Sequence, residues 1–190
     1  MSSDWVLDAG WYDEDAQLNP LWVAWKSPEA IASRLERLWT VTVPTWTDET
    51  PPDVDRFAQA EVDWLCDVFD SIFTDRDALE EPDNRQAADE FVTYFGEALI
   101  ARAGGEWFAK HYGGDVHSPL FDGFNPAVGY RWEHSPDDLT DLLYEAVEVD
   151  GGPDAVMEVG QAIYNRDFDH KEAFGLPGGF DEVRRRPGLA

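Results

Sequence analysis

YFGEALIARAGGEWF, residues 94–108, decides how the chain folds. It sets one carboxylate, Glu97, inside an apolar run, then Gly104 and Gly105, then Glu106 and Trp107. A glycine pair that follows a strand and opens a helix can cradle phosphate on the helix N-terminus. A glycine pair that follows a helix ends it, because glycine accepts the left-handed C-cap. Upstream, Ala88, Phe91, Phe95, Ala98 and Leu99 recur at helical spacing. The order is therefore helix, glycines, strand. The spacing predicts a helix over 83–103 and a strand over 106–112. A helix C-terminus repels anions, so no phosphate site is expected there. Glu97 reads as a structural or exposed residue, with Arg102 or Arg131 as its expected partner.

Outward from this stretch the pattern is mostly helical. Val54, Phe57, Leu65, Val68, Phe69 and Ile72 predict a long helix over 53–73. Ser27-Pro28 reads as an N-cap followed by proline at the first helical position. Residues 41–46 alternate apolar with Thr and Pro44, which predicts a short strand or extended link. The glycine pair at 113–114 suggests a turn, and residues 116–120 and 127–132 suggest further short strands. Ser135-Pro136-Asp137-Asp138 reads as a helix start. GGP at 151–153 opens another helix to about residue 165. The Trp-rich segment 1–27 reads as irregular or short strand, and 167–190 as a loose tail. The expected architecture is one α+β domain, mostly helical, with a small antiparallel sheet around 105–132.

Composition narrows the function. The 190 residues include 40 acidic and 14 basic ones, for a formal charge of −26 and a pI near 4.1. Repulsion on that scale opposes folding but speeds encounter with a basic partner. A salt-adapted proteome would favour the same acidity. Phosphates are repelled, so direct binding to nucleic acid or an anionic membrane is disfavoured. Cys66 is the lone cysteine, so no internal disulfide forms. MSSDWVLDAG has neither a basic nor an apolar leader region, and no apolar run reaches membrane-spanning length. A cytoplasmic location is the expectation.

No catalytic or cofactor motif stands out. His111, His117, His134 and His170 lack metal-ligand spacing. Asp115 and His117 share a predicted strand face and are the weak metal candidate. Acids at 63 and 67 would raise the Cys66 pKa, the wrong direction for a nucleophile. No GxSxG elbow is present. The better candidates are acidic stripes. Asp63, Asp67 and Asp70 fall at i, i+4 and i+7, on what should be one exposed helix face. Asp138, Asp141, Glu145 and Glu148 oppose Leu139, Leu142, Leu143, Ala146 and Val147 on the next predicted acidic helix. With the acidic connection 75–84 they suggest one shared negative surface. Trp11, Trp22 and Trp25 are candidate anchors, since tryptophan is enriched in interface hot spots.

The stretches YFGEALIARAGGEW, NPAVGYRW and SPDDLTDLLYEAV together resemble a loose group of small bacterial proteins, some proposed as immunity proteins of polymorphic toxin systems. The resemblance spans residues 62–144. It implies an α+β domain that binds and blocks a cognate toxin, and it implies no catalytic residues. The leading expectation is an inhibitor of a basic secreted toxin. The alternatives are a DNA mimic or acidic adaptor for a nucleic-acid-binding protein, and a hydrolase using Asp115, His117 or Glu97.

Overall fold

A computed structural model describes residues 11–110 and 120–178. The fold is α+β: helices built around one long central helix, with a small three-stranded antiparallel sheet at its C-terminal end. The central helix, α7 (Arg85–Ala103), is buried on several sides and ends at Gly104, whose φ of 69° closes the C-cap through an N–H donated to the Ile100 carbonyl. Trp132 Nε1 donates to the freed Ala103 carbonyl at 2.9 Å. The helix-then-strand order read from the glycine pair is the order observed.

Before α7 come α1 (Glu14–Gln17), α2 (Pro20–Trp25), α3 (Pro28–Arg37), α4 (Val43–Trp46), α5 (Gln59–Ile72) and α6 (Arg76–Glu80). After it come β1 (Glu106–Ala109), β2 (Pro126–Gly129), β3 (Asp137–Asp138), α8 (Leu139–Val147) and α9 (Gln161–Phe174). The strands lie in the order β1-β2-β3, with Trp107 opposite Val128 and Ala127 opposite Asp138. Phe69 of α5 and Phe73 at its C-cap meet Phe91 and Phe95 of α7 in a buried aromatic cluster, and Tyr130 and Leu139 join the same continuous core.

Several elements differ from expectation, each for a local reason. Within the described part of 1–27 the chain is helical. Asp13 and Asn19 accept backbone N–H bonds as N-caps, and Pro20 begins α2. Residues 41–46 are also helical. Pro44 falls in the first turn of α4, where its missing N–H is no loss. The preceding turn, Leu38–Thr42, is a wide π turn closed by Val43 N–H to the Leu38 carbonyl. The helix predicted over 53–73 begins only at Gln59, because Phe57 adopts a left-handed φ of 63°. The helix expected after Ser135-Pro136-Asp137-Asp138 begins at Leu139 with Asp138 as its N-cap, and Asp137 and Asp138 also pair with β2 as a short strand. The last helix reaches Phe174, well beyond residue 165, after a second π turn at Val156–Gly160. The turn expected at 113–114, all but Leu120 of the strand expected over 116–120, and residues 179–190 of the expected tail lie outside the described residues, while residues 167–174 of that tail are helical.

Among the described residues, the outer edge of β1 is covered by a side chain, next to an isolated antiparallel bridge between Tyr12 and Lys110. The Gln17 side-chain amide donates to the Ala109 carbonyl at 2.7 Å and accepts from Ala109 N–H at 3.0 Å. It mimics a neighbouring strand and blunts an edge open to intermolecular pairing. Among the described residues, no helix is long and apolar enough to cross a membrane.

Candidate partner-binding surface

The opening stretch turns out to be a packing device. Trp107 reaches back across α7 and lies against Gly96, where any Cβ would be driven into its six-membered ring. Its Nε1 donates to Glu97 Oε1 at 2.7 Å. Glu97 therefore pairs with an indole, not with Arg102 or Arg131. Those arginines are held by Asp167 and Glu106 instead.

The acidic stripe of α5 is only partly a surface. Asp67 is exposed, but Asp63 and Asp70 are half-buried against the turn 154–160. Asp63 accepts from Gln59 Nε2 at 2.7 Å, and both oxygens of Asp70 accept from Ala155 N–H, at 3.0 and 3.1 Å. The expected exposed face is corrected to one exposed and two half-buried carboxylates, because α5 packs its stripe against the second π turn. Burial is the main reason that the Asp70 carboxyl is pushed up to about 6; the Ala155 N–H opposes this, while Asp154 and Asp67 add to it. Burial also drives the Cys66 thiol well up, with Asp70, Asp63 and Asp67 reinforcing it. Cys66 is a buried, protonated core residue.

The raised Asp70 pKa makes stability depend on pH. The unfolded carboxyl titrates near 3.8 and the folded one near 6, so the folded chain binds the extra proton between those values. Its contribution is complete below about pH 4 and is lost as pH rises through about 6. Asp70→Asn keeps an oxygen for Ala155 N–H and removes the charge. At pH 7.5 we expect it to raise stability by about 1 kcal/mol, a figure discounted for the solvent screening of a half-exposed group. Urea unfolding at pH 7.5 and pH 4.5 checks this: the advantage over the parent should vanish at the lower pH.

On α8 the stripe survives with one exception. Asp141, Glu145 and Glu148 are exposed. Asp138 is not: it is buried, caps α8 through Thr140 and Asp141 N–H, and pairs with Lys110 at 3.1 Å. Its place as a surface ligand is corrected, since a β3 residue at a helix start faces the interior. Lys110 also reaches Asp141, at 3.3 Å, and lies 4.7 Å over the Trp11 ring. Glu148 pairs with Arg76 at 2.9 Å.

Two residues not singled out in the sequence join the stripes. The turn between α8 and α9 packs against both α5 and α8, and it carries Asp154 and Glu158. Asp154 acts on Asp70, and Glu158 acts on Glu145, whose carboxyl is raised by burial first and by Glu158 next. The fold thus brings Asp67, Asp70, Asp154, Glu158, Glu145 and Asp141 onto one side. Amphipathic spacing within a single helix carries no signal for this, because the joining carboxylates come from a separate turn.

The tryptophans divide. Trp22 is fully buried and Trp25 nearly so; their rings stack at 5.4 Å beneath Phe124. Both are core residues, which corrects their placement as surface anchors. The reason is that α2 turns this pair inward under the 120–124 segment. Trp11 is half-buried on Lys110. Trp46, by contrast, is 48% exposed.

A second polar concentration surrounds the π turn after α3. Glu90 is wholly buried and accepts from Arg37 Nε and Thr42 Oγ1. Glu61 is also buried; its Oε1 accepts from Tyr94 OH at 2.7 Å and from Phe57 N–H at 3.2 Å, which holds Phe57 in its left-handed conformation. Beside them an open cleft of about 570 Å³ is lined by Ile31, Leu35, Trp39, Glu36, Arg56 and Glu97. Among the described residues, no group of three or more His, Cys, Asp or Glu could hold a metal ion. Asp115, His111 and His117 lie outside them.

Comparison with family models, with curated proteins and with solved structures finds no match to this chain.

Proposed function

We propose that this is a stoichiometric binding protein for a basic protein partner, and that it acts as an immunity or inhibitor protein against a basic secreted toxin. One observation carries the reading. Among the described residues, every lysine and arginine except Lys26 and Arg56 is engaged in an ion pair within the chain. The cations are spent internally, so the field that meets solvent is overwhelmingly negative. Such a field speeds encounter with a cationic surface by about 10- to 1000-fold and weakens with salt.

The face carrying Asp67, Asp154, Glu158, Glu145 and Asp141 is the proposed docking surface. Its carboxylates steer the partner and cover a basic active-site cleft, and binding blocks the toxin by occlusion. Exposed Trp46 takes the anchoring role that the buried Trp22 and Trp25 cannot fill. Surface carboxylates add association rate more than affinity.

Capture from source lysate with tagged protein, at low and high salt, followed by mass spectrometry, tests the reading. The expected result is one basic partner in one-to-one ratio, with association slowed by salt. Neutralising Asp67, Asp141 and Glu145 together should slow association by about tenfold at low salt and leave Tm nearly unchanged. Competition by duplex DNA for the same partner would move the assignment to a DNA mimic. No partner at either salt would overturn both.

A further inference from the structure

We propose that the cleft beside Trp39 receives one cationic side chain, an arginine or lysine, from that basic partner. The inference rests on the basic-partner reading above and adds a site distinct from the α5–α8 acidic face. The cleft is built for an object that is apolar along its length and positive at its tip. Ile31 and Leu35 of α3, with Pro28, make an apolar wall, which suits the methylene stem of a long basic residue. Trp39 supplies an aromatic wall; its indole is held by stacking on Trp64 (6.1 Å, 2°) and by an edge contact with Tyr94. An indole fixed in this way attracts a guanidinium or ammonium placed on it.

The carboxylates stand where the tip would arrive. Glu36 and Glu97 line the main cleft. An adjoining recess of about 330 Å³ shares Trp39 and Arg56 and reaches buried Glu61 past Pro51, Pro52 and Val54. Glu97 and Glu61 are each held by one oxygen, through Trp107 Nε1 and through Tyr94 OH with Phe57 N–H. Among the described residues, the second oxygen of each makes no hydrogen bond. Glu61 is 7% exposed, so it cannot compensate by full hydration. Phe57, strained at φ 63°, follows Arg56 in the chain and donates its N–H to Glu61. Strain of that kind persists where surrounding structure over-determines it, often at binding sites.

Arg56 fits as a place-holder. It is exposed, forms no ion pair among the described residues, and rests 4.9 Å over the Phe57 ring at the junction of the two recesses. An incoming cation meets the like charge of Arg56 at this junction. An anionic ligand would meet three carboxylates for one arginine.

The test is an NMR titration of the Trp39 indole signal with acetyl-Ala-Arg-Ala-amide and with its citrulline counterpart, which keeps the shape and lacks the charge. The arginine peptide should shift Trp39 saturably in the millimolar range, and the citrulline peptide should not. Glu97→Gln keeps an acceptor for Trp107 and should weaken binding roughly threefold to fivefold. Arg56→Gln, at an exposed position, should tighten it by a similar factor. Equal binding of the two peptides, or no change in either variant, would overturn the proposal. Free arginine binding as tightly as the peptide would overturn the protein source and leave a small-cation site. A basic partner bound equally by the parent, Glu97→Gln and Arg56→Gln would remove the cleft from the interface and leave the acidic-face reading intact. Peptide binding without any basic partner would sink the acidic-face reading instead.

Discussion

Replacing Gly96 with alanine should destabilise the folded chain by about 3 kcal/mol. For a chain of this size that lowers Tm by roughly 6–12 °C. Helix propensity alone argues for the opposite sign, since alanine in a helix interior is favoured over glycine by about 1 kcal/mol. The steric term should win because Trp107 has no room to yield. Its ring already lies on the Gly96 backbone, its Nε1 is bonded to Glu97 on the next residue, and Trp25 meets it edge-on at 5.0 Å. An added methyl must therefore push β1 away from α7 or break the indole hydrogen bond. Thermal or urea unfolding reads the effect. Trp107→Leu vacates the space, so the double variant should be less destabilised than the sum of the singles by at least about 1 kcal/mol. A more stable Gly96→Ala protein would mean that the indole does not lie across α7.

Asp138→Ala should cost about 3 kcal/mol, whereas Asp141→Asn should stay within about 0.5 kcal/mol. The two acids sit three residues apart on a stretch that reads as one acidic face. Asp138 accepts from Thr140 N–H, Thr140 Oγ1 and Asp141 N–H, so its loss removes the α8 N-cap, worth about 1 kcal/mol. It also pairs with Lys110, whose side chain is only 7% exposed. Removing one member of a buried pair weakens the compensation of the other, and Asp141, which also pairs with Lys110, is 53% exposed and pairs weakly. Asp138→Asn retains the cap and loses only the charge, so its destabilisation should fall between the two. Urea unfolding of the three variants checks the order. A binding defect in Asp138→Ala would therefore report folding, while defects in Asp67, Asp141 or Glu145 variants would report the surface.

These cases mark what could be read along the chain. Local signals held where a residue acts on its own backbone. Gly104 ends α7, Ser27 and Pro28 open α3, and α8 carries its apolar and acidic faces as spaced. They failed where a distant segment decided the outcome. Thr42 and Val43 look extended by composition, yet the buried Glu90 carboxylate and the wide turn after α3 hold that stretch helical. Asp137 and Asp138 read only as a helix start, yet besides opening α8 they pair with β2 as a short strand. Asp63 and Asp70 look solvated, yet the turn before α9 covers them.

By itself the sequence determined the class of fold, the helix-then-strand order around Gly104-Gly105 and the excess of negative charge, because periodicity, capping and net charge are properties of contiguous residues or of sums. Only the tertiary structure decided which acids face solvent, that Trp22 and Trp25 belong to the core, and that Trp39 and Arg56 join a cleft lined by Glu97 to a recess lined by Glu61. Those outcomes depend on which segments pack together across distances of tens of residues, and no local pattern encodes that pairing.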